Sequence, residues 1–402
     1  MHSCPALAYE RDAATGAVLI RTELCIGCKY CSWACPYGAP SFEPENGVMG
    51  KCTFCSHRLA DGLAPACTSL CPTGALAYAE VPAELLTSDI EGFPKTDLGP
   101  SIRILPRTGR VEQREDPPVG SDGFGPGSGM PDEARKEPSI GLASEWSLAG
   151  FTFLLASLFA LLSANTFGTL RVPALGYAAI VGVAALLSLA HLGRPTRAWR
   201  AILNLRRSPV SREVLGFGAL GALGTLSLAW PAGEIATGIG WLGLGAGLLA
   251  LVSADSVYRA VFHEGRPALH SGGVLLTGLY LAGLLAGLAW LAAPVGGFKL
   301  YRYVARHMAR PPERAASGWP GAAARLGLGL LVPGLAWAWT GIPLPAWAVG
   351  AALVGEAVDR AEFYSGLEII SPARQLRQDL EARLADYEAG PAIRSMASAS
   401  SS

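Results

Sequence analysis

The spacing of the cysteines constrains this chain more than any other feature. Cys25-Ile-Gly-Cys28-Lys-Tyr-Cys31-Ser-Trp-Ala-Cys35-Pro36 is a C-x2-C-x2-C-x3-C-P run, the spacing in which three thiolates wrap one cubane iron–sulfur cluster and the fourth reaches a second. A second set, Cys52-x2-Cys55 and then Cys67-x3-Cys71-Pro72, repeats the pattern with a longer insertion. Together with Cys4 these make nine cysteines, and none follows Cys71. Structural zinc prefers paired C-x2-C knuckles, which the x2-x2-x3-Pro spacing matches poorly. Disulfides are a weaker reading still, because thiols so regularly placed suit metal better than cross-links. The two sets side by side predict two or more [4Fe-4S] clusters and an electron wire rather than a single site.

The rest of the chain is of a different kind. Half of the 402 residues are hydrophobic and only 16% are charged, too apolar for an ordinary soluble protein. From Ser144 onward, stretches near the ~20 residues needed to cross a bilayer recur around 147–166, 172–191, 214–231, 235–254, 272–293, 322–341 and 345–363, and an eighth could lie in 294–307. Trp146, Trp230, Trp241, Trp290, Trp319 and Trp347 fall near their ends, where an amphipathic ring prefers the headgroup level. The expected fold is a small α+β ferredoxin-like [4Fe-4S] domain followed by an all-α polytopic membrane bundle of seven to eight helices. Residues 1–111 form the first domain, with short strands such as Val18–Arg21. A Pro/Gly-rich tether spans 112–143, the membrane domain 144–365, and a surface helix with a disordered tail 366–402. Gly123-Phe124-Gly125 in the tether has neither the strand before it nor the helix after it that a nucleotide loop needs. The formal net charge is zero, so no basic surface argues for nucleic acid. The first residues carry no secretory or twin-arginine signal, so export of the soluble part would need an address carried elsewhere.

The run from Cys25 to Ala75, with Cys35-Pro-Tyr-Gly-Ala-Pro40, Lys51-Cys52-Thr-Phe-Cys55 and Pro65-Ala-Cys67-Thr-Ser-Leu-Cys71-Pro-Thr-Gly-Ala75, resembles the four-cluster ferredoxin subunits of molybdopterin oxidoreductases such as dimethyl sulfoxide reductase. It matches the third and fourth cysteine motifs of that family, and Cys4-Pro5 resembles the end of the second, so the resemblance implies an upstream segment carrying the others. It also implies that Cys4 completes a cluster with Cys25, Cys28 and Cys31, while Cys35, Cys52, Cys55, Cys67 and Cys71 need partners from that segment. If the chain is complete, the simpler pairing is Cys25, Cys28 and Cys31 with Cys71, and Cys52, Cys55 and Cys67 with Cys35, leaving Cys4 over.

Between the second and third apolar stretches, His191-Leu-Gly-Arg194-Pro-Thr-Arg197-Ala leads on to Glu213 and resembles the membrane anchor of the same reductases. That resemblance makes His191, Arg197 and Glu213 the quinone-binding residues. The chemistry fits independently: quinol oxidation releases two protons with two electrons, so the site needs proton acceptors beside a one-electron carrier. His191 and Glu213 suit the first need, and Arg197 could bond a quinone oxygen. The alternative for His191 is a helix-end cap, and for the arginines a headgroup-facing loop. The six histidines form no facing pair at membrane depth, so no haem is expected. Glu356 and Arg360, four apart, are expected to form an ion pair. Arginine is richer in loops on the side of the N-terminal domain, including Arg194, Arg197, Arg206 and Arg207, which points to a cytoplasmic iron–sulfur domain, whereas the resembled family faces the periplasm.

The function expected is an electron-transfer and anchor subunit in the inner membrane, multi-pass in the lipid bilayer. It would exchange electrons with the menaquinone or ubiquinone pool and serve a separate molybdopterin catalytic subunit. Two rivals are a membrane transporter or energy-coupling module with a redox-sensing iron–sulfur cap, and a structural anchor whose soluble half binds zinc.

Overall fold

The computed structural model describes residues 2–86, 100–104, 141–259, 270–308, 319–341 and 344–365, with the single positions 367, 376, 379–381 and 383. The tether up to residue 140, His263, and most of the tail after Ser371 lie outside the described residues. The chain divides into two compact units, one joining residues 1–35, 39–63 and 140–368 and the other joining 36–38, 64–139 and 369–402. The segment carrying Cys4, Cys25, Cys28 and Cys31 thus falls in one unit with the helices.

That segment is built from very short elements. Strand β1 (Tyr9–Arg11) pairs antiparallel with β2 (Val18–Ile20), and β3 (Ser41–Glu43) pairs with β4 (Val48–Gly50). Two short helices follow cysteine loops, α1 (Tyr30–Trp33) and α2 (Ser56–Ala60). Three-residue hairpins have no independent stability in water. Here they close on a small core of Ala8, Cys25, Val48 and Met49, with Cys4, Ile20, Leu24, Cys31 and Phe42 packed against it. Cysteines are thus part of the core itself, which suits a domain too small to bury much carbon. In the second unit, α3 (Ala66–Ser69) carries Cys67 and precedes Cys71.

The helical part comprises α4 (Trp146–Thr166), α5 (Ala174–Ala190), a 3-10 turn (Pro195–Ile202), α6 (Pro209–Ala229), α7 (Glu234–Arg259), α8 (Val274–Leu285), α9 (Ala289–Met308), α10 (Trp319–Leu326), a π-helical turn (Gly327–Leu331), α11 (Val332–Thr340) and α12 (Ala346–Ser365). Helix α4 is central, contacting α5, α7 and α8, and α6 packs along α7. Among the described residues three helices are long and apolar enough to cross a membrane, Trp146–Thr166, Glu234–Tyr258 and Gly321–Thr340. A fourth span results if α5 and the 3-10 turn, bent by 103°, count as one.

Seven or eight spans are not confirmed among the described residues, and the reasons the other helices fall short are chemical. Helix α8 has only 12 residues, too few to cross a bilayer. Helix α9, which contains the eighth stretch, holds Pro294, Lys299, Arg302 and Arg306. Helix α12 carries Glu356, Asp359, Arg360 and Glu362, and α6 holds Arg212 and Glu213 in its first two turns.

Candidate functional site

Cys4, Cys25, Cys28 and Cys31 line one cavity, closed by Pro5, Ala6, Ala8, Tyr9, Ile20, Ile26 and Met49. The loops reach it through left-handed backbone at Leu7 (φ 53°) and Lys29 (φ 59°), unusual for residues with a Cβ. Backbone amides donate to the sulfurs: Ala8 to Cys4 at 3.4 Å, and Gly27 and Met49 to Cys25 at 3.4 and 3.5 Å. Burial, with the neighbouring sulfurs adding to it, raises the pKa of the Cys28 thiol; burial also raises Cys4, and pushes Cys31 up to about 11. Four thiols crowded in a dry cavity resist ionisation unless positive charge is brought among them. An iron core brings that charge, and N–H donors aimed at sulfur suit the thiolates it creates. Among the described residues no three His, Cys, Asp or Glu side chains stand close enough to hold a single metal ion. The donor set thus suits a bulky cluster, with a ligand at each corner, better than a lone zinc. Of the two pairings left open by the sequence, this cavity has the membership of the one that includes Cys4.

The remaining cysteines are more open. Cys52 is exposed and receives the Phe54 amide at 3.3 Å, while Phe54 and Cys55 both take left-handed backbone. In the second unit Cys67 is exposed, and backbone and Thr73 hydrogen bonds lower the Cys71 thiol to about 7.

The loop after α5 is fastened to the cysteine cavity. Gly193 and Arg194 donate their amides to the carbonyls of Gly27 and Ile26 at 3.3 and 3.1 Å. The backbones touch because Gly27, Gly47 and Gly193 lack side chains; a Cβ on Gly193 would lie 2.2 Å from the Gly47 carbonyl oxygen. Arg194 Nε donates to the Asn46 carbonyl at 2.7 Å. Arg197 Nη1 donates to the carbonyls of Thr22 and Cys25 at 2.8 and 3.1 Å. Asn204 Nδ2 donates to the carbonyls of His2 and Cys4 at 3.0 and 2.9 Å, and Ser208 Oγ to that of Ser3 at 3.0 Å. Lys29 faces Glu145 at 3.5 Å across the same seam. Burial raises the Glu145 pKa, and Lys29 partly offsets it.

Directly beyond this seam lies a second cavity, of about 230 Å³. Its walls are mostly apolar, from Leu148 and Phe151 of α4, Ala185 and Leu189 of α5, Val214 and Phe217 of α6 and Val257 of α7. Its polar members are Tyr30, Ser188, His191, Glu213 and Tyr258. His191 caps the end of α5, and its buried Nδ1 meets no partner in hydrogen-bonding geometry. Glu213 is buried on α6. Trp33, at the end of α1 between Cys31 and Cys35, also lines this cavity and stacks on Tyr258 with ring centroids 6.4 Å apart. Cys28 and Ile26 line both cavities.

The structure therefore brings His191 and Glu213 together and leaves Arg197 out: its guanidinium is engaged by the carbonyls of Thr22 and Cys25, and it borders a separate open groove with Glu23, Glu43 and Arg194. The expected Glu356–Arg360 pair is also replaced. Glu356 pairs with Lys299 at 2.9 Å and Arg325 at 3.0 Å, and Asp359 with Arg325 at 2.9 Å and Lys299 at 3.7 Å. Arg360 instead donates to Thr152 and the Gly272 carbonyl and lies over the rings of Tyr258, Phe363 and Tyr364. Partners on crossing helices displaced the partner one turn away. Asn204, Ser208, Trp33 and Tyr258 were not singled out by the sequence, since no local spacing marks them.

Residues 1–81 match the 4Fe-4S dicluster domain family, so the N-terminal part of the chain is an iron–sulfur domain. Its relatives include subunits of a dimethyl sulfoxide reductase, a sulfite dehydrogenase and a thiosulfate reductase. The chain is 38% identical over 109 residues to a chain of the anaerobic dimethyl sulfoxide reductase of Haemophilus influenzae, covering 26% of this chain and 52% of that protein. It is 42% identical over 84 residues to a subunit of the sulfite dehydrogenase of Allochromatium vinosum, covering 19% and 35%. It is 47% identical over 76 residues to the thiosulfate reductase electron transfer subunit PhsB of Salmonella typhi, covering 19% and 39%. The chain thus spans about half the length of these relatives or less, and each match takes in about a quarter of the chain or less. No solved structure matches.

Proposed function

We propose that this chain is a fused electron-transfer and membrane-anchor subunit, which passes electrons between a quinone in the second cavity and [4Fe-4S] clusters held by its cysteines, and from there to a separate molybdopterin catalytic subunit. One observation carries the reading: Cys28 is a wall of both cavities, so a quinone ring would bind against a cluster ligand. The apolar lining suits a hydrophobic quinone, and the few polar groups suit its oxygens. His191 and Glu213, both lining the cavity, are the proton acceptors. Arg197 has a holding role, fixing the carbonyl of Cys25 and with it the loop that bears three ligands. A cluster held by Cys4, Cys25, Cys28 and Cys31 would supply one-electron exchange. That the relatives are subunits of reductases and of a dehydrogenase supports the catalytic partner, and the apolar helices support a multi-pass place in the bilayer.

A spectrum tests this directly. In detergent-purified full-length protein reduced by dithionite, [4Fe-4S] EPR signals should shift when a menaquinol analogue is titrated in. With His191→Ala the signals should persist and the shift should vanish. Signals indifferent to the analogue, or a protein holding zinc and no iron, would sink the proposal. The reading as an energy-coupling module gains one observation, the buried Lys299, Arg325, Glu356 and Asp359. Each of these charges is paired, however, and none lines either cavity.

A further inference from the structure

Resting on the quinone reading, we infer that the hydroxyls of Tyr258 and Tyr364 are the proton exit of the second cavity, leading away from the clusters toward the charged groups of α9 and α12.

Oxidation of a quinol breaks two O–H bonds and yields quinone, two protons and two electrons. The electrons leave one at a time to the [4Fe-4S] clusters, which are the oxidant. The protons need another road, because the cysteine cavity on that side is lined by Pro5, Ala6, Ala8, Ile20 and Met49 and carries few groups that could accept them. His191 and Glu213 can take protons first, yet both are closed in by apolar neighbours. Tyr258 is the lining residue with a hydroxyl contact outward: it is hydrogen-bonded to the hydroxyl of Tyr364, which is fully buried on α12 and does not line the cavity.

Beyond Tyr364 the polar contacts continue. Arg360 Nη2 donates to the Tyr364 hydroxyl at 3.5 Å and Nη1 to the Gly272 carbonyl at 2.9 Å. The Gly272 amide donates to His270 Nδ1 at 2.9 Å, and Arg306 Nη1 reaches the same nitrogen at 2.9 Å. Arg306 in turn pairs with Glu362 at 3.1 Å, and Tyr303 donates to Glu362 at 3.0 Å. The Arg306 and Glu362 side chains are 22% and 19% exposed, so the series reaches the surface of the helical part. Arginine does not give up protons. Arg360 and Arg306 therefore orient the route; the hydroxyls, His270 and Glu362 are the groups able to carry a proton, and the steps past the two guanidinium groups require bridging water.

Tyr364 is the position to test, since it is remote from the quinol. In the full-length, cluster-loaded chain, mixing with a reduced menaquinol analogue should bleach the cluster absorption, with proton release followed by an indicator dye in weak buffer. Tyr364→Phe should slow both on the order of tenfold, enlarge the solvent deuterium isotope effect and leave the analogue concentration for half-maximal rate unchanged. Tyr258→Phe should do the same and also raise that concentration. A Tyr364→Phe protein with the native rate and isotope effect would overturn the inference. Should that variant fail to fold, Glu362→Gln at the exposed end replaces it: delayed proton release supports the route, and native release overturns it. A wild-type chain that the analogue does not bleach sinks the quinone reading first, which separates the two failures.

Discussion

Two polar regions in the helical half, each built around arginine, serve opposite ends. In the loop after α5, Arg197, Asn204 and Ser208 direct their donors outward to carbonyls of the segments that bear Cys4 and Cys25, and Arg194 to that of Asn46 between β3 and β4. Around α12, Lys299, Arg325, Glu356 and Asp359 turn inward on one another and are 0% exposed. A charge directed at a neighbour's backbone ties two parts of a fold together at a defined spacing. Charges directed at each other tie helices together and leave nothing for a ligand. The first region is therefore where function is adjusted, and the second is where its failure costs the whole fold.

The largest effect should come from the sealed cluster. Glu356→Ala removes the partner that Lys299 and Arg325 share, along with the acceptor of the Thr277 hydroxyl at 2.9 Å. Stranding a buried charge in this way costs roughly 3–5 kcal/mol. A strong fall in the detergent Tm and in membrane yield is expected, with Lys299→Met combined with Glu356→Leu recovering much of it, because Arg325 keeps Asp359. An unchanged Tm for Glu356→Ala would show that the cluster does not hold α9, α10 and α12 together, and the contrast with the loop would collapse.

How much of this was legible in the sequence follows from the range of the interactions. The cysteine spacing is local, so the iron–sulfur domain and the grouping of Cys25, Cys28 and Cys31 could be expected before any coordinates, whereas His191 and Glu213 were grouped only through the resemblance of their segment to the reductase anchor. The sealed cluster was not legible. Lys299 and Glu356 are on different helices, and the sequence offered Arg360, one turn away, as the more obvious partner for Glu356. The count of seven to eight spans is not confirmed for a related reason: Lys299, Asp359 and Arg360 sit in stretches whose average is apolar, and their partners lie on other helices. Arg197 is the instructive case at the loop, since its position in the motif suggested a quinone contact and its geometry gives it to the carbonyl of Cys25.

At the seam, Gly193→Ala should have an intermediate effect. Its new Cβ would fall 2.2 Å from the Gly47 carbonyl oxygen and 2.7 Å from its carbon, so two stretches of backbone must separate. Overpacking of that kind costs about 1–3 kcal/mol. The cysteine cavity itself is untouched, so cluster content should stay full while quinol-driven bleaching slows. If bleaching keeps its native rate, the glycine contact does not set the spacing between the two cavities.

The smallest effect, and the sharpest for the role of the loop, belongs to Arg197→Leu. The substitution deletes the donors to the Thr22 and Cys25 carbonyls, each of which can turn to water because the groove beside Arg197 is open, so the loss should be about 1 kcal/mol. Clusters should be released somewhat faster on warming, while the menaquinol analogue is held as in the native protein, since Arg197 does not line the second cavity. The reverse pattern, native cluster retention with a clear loss of analogue binding, would mean that the guanidinium leaves its carbonyls for the quinone. The boundary drawn between a holding loop and a reacting cavity would then have to move to include it.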